Sequence, residues 1–87
     1  MSAKVEFERG ESGEVSSWDG STMTVLASGP YAPGAPTRMK IHLETTAVDV
    51  EARAKDSKRV ADGRFQVRLR VINLRREQLE LLATLST

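Results

Sequence analysis

Eighty-seven residues, 39% of them hydrophobic and 29% charged, suit one small globular domain in which nearly every apolar side chain is needed for a single core. The chain has no cysteine, which excludes a disulfide framework and any thiolate metal site, and its apolar runs are too short for a membrane-spanning helix. The net charge of +1 hides an asymmetry: residues 1–44 carry four Lys/Arg against six acids, residues 45–87 nine against six.

In chain order, the segment from Met1 to Glu8 has no apolar stretch after Lys4, so a signal peptide is not expected and the cytoplasm is the expected compartment. Lys4–Glu8 and Gly13–Trp18 are weak strand candidates. Asp19-Gly20 reads as a turn into a short strand, Met23–Ala27. Ser28 to Pro36 holds all three prolines and two glycines, which rules out a ladder strand and predicts a crossing loop. Arg38–Glu44 then alternates, with Met39, Ile41 and Leu43 inward. Val48–Lys55 does the same with smaller residues. Asp56 and Lys58 fall on the inward parity of that strand, which predicts a bulge or an early end near Asp56. Asp62-Gly63 marks a hairpin turn. Beyond it lies the clearest strand: Phe65, Val67, Leu69 and Val71 point inward, while Arg64, Gln66, Arg68 and Arg70 point outward.

Only the C-terminal segment reads as a helix, over about 74–85, with Asn73 as N-cap and a buried stripe of Leu79, Leu82 and Ala83. Arg75 and Arg76 at its start oppose the helix dipole. The expected architecture is therefore mostly β: six antiparallel strands over about 4–72 and one C-terminal helix, in a single domain spanning 1–87.

Enzyme chemistry finds no carrier. The single histidine, His42, falls on the outward parity of a strand. No metal-ligand spacing, no nucleophile elbow and no glycine-rich phosphate loop occurs. No metal or cofactor is called for. What remains is charge. From Arg64 to Arg76 no acid interrupts the arginines, so Arg64, Arg68, Arg70, Arg75 and Arg76 predict a partner surface. Nucleic acid would need stacking aromatics beside that charge. Phe7 and Phe65 point inward, which leaves Trp18 and Tyr31 either to supply stacking or to cap the core.

The order of strand, hairpin, strand, Pro-Gly loop, long strands and closing helix, from about Gly13 to Ala83, resembles a PilZ domain. The run Tyr31-Ala32-Pro33-Gly34-Ala35 is similar to that family's loop, and Arg64–Leu74 leading into Arg75–Leu82 resembles its last strand and helix. The resemblance implies a six-stranded antiparallel PilZ-like β-barrel and a place in bacterial second-messenger signalling of the kind that controls motility, pili or biofilm.

Cyclic di-GMP is the ligand the resemblance implies, and the motifs for it depart from the family pattern. No Arg-x-x-x-Arg precedes the barrel, where Arg9 stands alone. The family's Asp/Asn-x-Ser-x-x-Gly falls in one register on Asp19 to Thr24, which keeps Asp19 and Ser21. In the preferred register it falls on Ser17 to Thr22 and loses all three signature positions. If the dinucleotide binds, Arg9, Ser17, Asp19 and Ser21 are its candidate ligands. The expectation is instead an adaptor that acts through a protein partner. A dinucleotide receptor with a non-standard site and a nucleic-acid-binding barrel are the alternatives.

Overall fold

The computed structural model describes residues 3–86. Six strands form a closed antiparallel barrel: β1 (Lys4–Phe7), β2 (Ser12–Trp18), β3 (Thr22–Ala27), β4 (Pro36–His42), β5 (Ala47–Arg59) and β6 (Phe65–Ile72). Their order around the barrel is β1-β2-β3-β6-β5-β4, and β1 closes it by pairing with β4. Period-two alternation puts Val5, Val25, Ile41, Val67 and Leu69 inside with no exposed surface. Small residues on β5 face large ones on β6, Ala52 against Val71 and Ala54 against Leu69, which lets the narrow interior fill. Gly13 is required by the close approach of β3: a Cβ there would lie 2.4 Å from the Leu26 carbonyl oxygen.

Two bulges reset the parity. The register shifts between Val15 and Ser17 on β2, so Val15 and Trp18 both face inward. It shifts again between Ala54 and Asp56 on β5. That second bulge is the one expected near Asp56, and the strand runs on past it to Arg59 instead of ending. With Lys55 as the extra residue, Asp56 and Lys58 move to the outer face and Ser57 turns inward.

The proline loop crosses the barrel end beneath β6 and β5 and is fastened to β5. Gly34 N–H donates to Ala54 O at 2.7 Å, and Ala54 N–H donates to Ala35 O at 3.1 Å. The Ser57 hydroxyl accepts from Tyr31 N–H and donates to Tyr31 O, both at 2.8 Å. Tyr31 is thereby held in that end of the barrel, 5% exposed, its ring 5.0 Å from that of Phe7. Burial pushes its phenol up to about 12. As the chain has one tyrosine, an ultraviolet titration reads that group alone. Ionisation near 12 is expected in the folded protein, against about 10 for an exposed phenol. Stability should hold below pH 10 and fall as the pH rises towards 12. A phenol that titrates at its ordinary value while the protein stays folded would contradict this burial.

The opposite end is closed by Trp18, 7% exposed, and by the C-terminal segment. The helix α1 (Arg76–Leu82) is shorter than expected and continues as a 3-10 turn, Ala83–Ser86, that packs against β2. Its N-cap is Arg75, with extended angles, not Asn73, which instead takes a left-handed φ of 54° and turns the chain out of β6. Gln78 fixes the start of the helix: its Oε1 accepts from Arg75 N–H at 2.8 Å, and its Nε2 donates to Asp49 O. Of the expected stripe only Leu82 is buried, with no exposed surface. Leu79 is 41% exposed and Ala83 also lies outside. Such a short helix presents one residue to the barrel end, not a flank. Phe65 differs too, being half-buried at the mouth and not fully inside.

Candidate functional site

The last hairpin carries the charge. On β6, Arg64 (just before the strand), Arg68 and Arg70 are exposed, as the period of two requires. β5 adds Arg53, Lys55 and Lys58 to the same outer face. Lys58 stands opposite Gln66, Asp56 opposite Arg68, and Arg53 opposite Arg70.

Among residues 53–58 and 64–70 of this hairpin, Asp56 is the one acid. Glu51, on the same outer face, stands beyond Arg53 opposite Ile72, with Arg38 and Asn73 as its partners. The Arg68 guanidinium forks onto it: Nε lies 3.0 Å from both carboxylate oxygens and Nη2 donates to Oδ2. That contact holds the Asp56 carboxyl below the usual carboxylate range and raises Arg68. Both side chains stay about half exposed. Arg64 and Arg70 form no ion pair among the described residues.

Arg53 and Arg70 are directly opposed like charges, an arrangement that costs stability. Arg53 bends away, donating from Nη1 to Gly34 O at 3.2 Å. Arg70→Glu should therefore raise stability by about 0.5 kcal/mol, read as a higher urea midpoint, because it turns a like pair into an opposite one. A lowered midpoint would place Arg53 and Arg70 out of register.

Arg75 and Arg76 do not continue the row. The left-handed turn at Asn73, whose Nδ2 donates to Glu51 Oε2 at 3.3 Å, carries the chain across β5. Arg75 there lines an open groove of about 860 Å³ between the helix and β1, β4 and β5, together with Glu6, Glu8, Arg38, Lys40 and Glu77. Arg76 is exposed at the start of the helix. The five arginines thus occupy two places, of which the hairpin face is the one where bases outnumber acids.

The dinucleotide candidates are separated. Arg9 sits in the β1–β2 turn, over the Tyr31 ring at 3.9 Å, paired with Glu11 and donating to Pro30 O at 3.0 Å. The Arg9 contact, helped by the Ser28 hydroxyl, holds Glu11 below its ordinary range. Asp19 and Ser21 lie in the β2–β3 turn, at the far end of the seven-residue β2, which spans about 20 Å. There Asp19 Oδ1 accepts from the N–H groups of Ser21 and Thr22 at 2.9 and 2.7 Å, so its carboxyl is spent on the turn and held below the carboxylate range. Ser17 is exposed at the same end of β2, two residues before Asp19, so the structure brings Ser17, Asp19 and Ser21 to one end and leaves Arg9 at the other.

Trp18 and Tyr31 both cap the core, which leaves no exposed aromatic on the basic face for a base to stack on among the described residues. His42 Nε2 lies 3.1 Å from Glu6 Oε1 across β1 and β4. Among the described residues no group of three His, Cys, Asp or Glu is placed to hold a metal ion, and no helix is long and apolar enough to cross a membrane. Compared with protein-family models, with curated proteins and with solved structures, the chain matches none.

Proposed function

We propose that the protein is a non-enzymatic adaptor that docks a protein partner on the outer face of the β5–β6 hairpin. On its resemblance to PilZ domains, the pathway is bacterial second-messenger signalling that controls motility, pili or biofilm, and the protein works there without binding cyclic di-GMP itself. The observation that carries this reading is the basic face. Arg64 and Arg70 stand there without acids, and Arg53 and Arg70 face each other although a neutral pair would be more stable. A surface kept only for solubility has no reason to oppose like charges. The absence of dinucleotide binding is supported by Arg9 and Asp19, which lie at opposite ends of β2 and are each held by internal partners.

Two measurements test the proposal. Titration with cyclic di-GMP should give no saturable heat, and a dissociation constant near a micromolar (roughly −8 kcal/mol) would restore the receptor reading. Arg64→Glu with Arg70→Glu should leave the fold intact and abolish recovery of the native partner from cell lysate. These two arginines are cleaner probes than Arg68, whose reversal would set a carboxylate against Asp56. A folded double variant that still recovers the same partner defeats the proposal.

A further inference from the structure

The bulge on β5 does more than keep two polar residues out of the core. Were Lys55 a regular ladder residue with no bulge, alternation would bury Asp56. With it, Asp56 lands on the outer face, opposite Arg68, where both its oxygens sit in the guanidinium fork. A carboxylate thus stands among Arg53, Lys55, Lys58, Arg64, Arg68 and Arg70, in the geometry a partner's carboxylate would adopt.

We infer that the partner segment is an acidic, extended peptide, and that Asp56 fills the fork of Arg68 until one of that peptide's carboxylates displaces it. This rests on the docking role proposed above for the hairpin face. Spacing and chemistry favour the peptide. Arg68 and Arg70 are two residues apart on one strand, so their side chains rise about 7 Å from each other. An extended chain with acids at alternate positions offers carboxylates at that same interval. The surface is the outer face of two paired strands, and arginine forks match carboxylates bidentately. The exposed large hydrophobic residues, Leu79 and Leu81, are on the helix and not on this face, so nothing here inserts into a lipid surface. With no exposed aromatic on the face, it does not stack bases.

Displacement of Asp56 is cheap. The Arg68–Asp56 pair is about half exposed on both sides, and exchanging one solvated carboxylate for another changes little. The net attraction comes from the acids beside it, which reach Arg70 and Arg64.

The test is a binding titration at low salt with a short labelled peptide alternating Glu and Thr, run beside its Gln-for-Glu counterpart and a single-stranded oligonucleotide. The protein should bind the Glu peptide and not the Gln peptide. Asp56→Asn should bind it about threefold to fivefold tighter, Asp56→Ser should move in the same direction, and Arg70→Gln should weaken binding by a similar factor. If both Asp56 variants, shown to be folded, bind no tighter than the native protein, Asp56 is a structural partner of Arg68 and the competition is refuted. Preference for the oligonucleotide, or equal binding of the Gln peptide, overturns the acidic-peptide class. Neither failure touches the adaptor reading, which stands or falls with the loss of the native partner in the Arg64→Glu, Arg70→Glu protein.

Discussion

Leu69→Ala is expected to cost about 3–4 kcal/mol, read by urea unfolding monitored by circular dichroism. Leu69 has no exposed surface, sits at the centre of β6, and faces Met23 on one side and Ala54 on the other. Removing it deletes buried apolar atoms and leaves a cavity, and the closed barrel cannot collapse freely to fill it. A domain of this size holds on the order of 5–10 kcal/mol in all, so the substitution should remove a large part of its stability. Phe65→Ala should cost less, although a phenyl ring is larger than an isobutyl group, because Phe65 is only half-buried at the barrel mouth. Arg64→Ala, outward on the same hairpin, should stay within about 0.5 kcal/mol. A loss at Leu69 no larger than that at Arg64 would put the inward parity of β6 in the wrong place.

Leu82→Ala is the second large effect, at about 2–4 kcal/mol. Seven residues make an isolated helix unfavourable in water, so α1 depends on what it docks against. Its buried anchor is Leu82, supported by the partly buried Leu74 and Leu85. Loss of that anchor should lower the melting temperature, reduce the helical signal and speed amide exchange at the Trp18 end of the barrel. Leu79→Ala, on the exposed side, should leave all three near their native values. Equal effects at Leu79 and Leu82 would mean that the helix docks by another face.

The strands were legible because a period of two leaves a mark on each strand separately. Arg64 to Val71 shows it without interruption, and the outward grouping of Arg64, Arg68 and Arg70 follows from it. The bulge near Asp56 was legible for the opposite reason: two polar residues on the inward parity must be moved out. The bulge between Val15 and Ser17 left no such trace, because Ser16 and Ser17 tolerate either face. Pairing register is a property of two strands at once. For that reason nothing in the sequence placed Asp56 against Arg68 or Arg53 against Arg70. Arg75 was misplaced for a local cause, the left-handed turn at Asn73, which a run of arginines does not betray. The buried side of α1 was ambiguous because Leu79, Leu81, Leu82 and Leu85 allow several stripes, and only the depth of docking decides among them.

Closure of the barrel between β1 and β4 bears on how the chain reaches its native state. β1 can be paired on its second side only after β2, β3 and the whole proline loop have been laid down, and β3 must wait for β6 while β4 and β5 form between them. Such long-range pairings pay loop-closure entropy before any contact repays it. Folding should therefore run in milliseconds to seconds, not microseconds. The same topology slows escape: no strand can leave without breaking two ladders, so the protein should hold its folded form kinetically, with little exposed strand edge to seed association in the meantime.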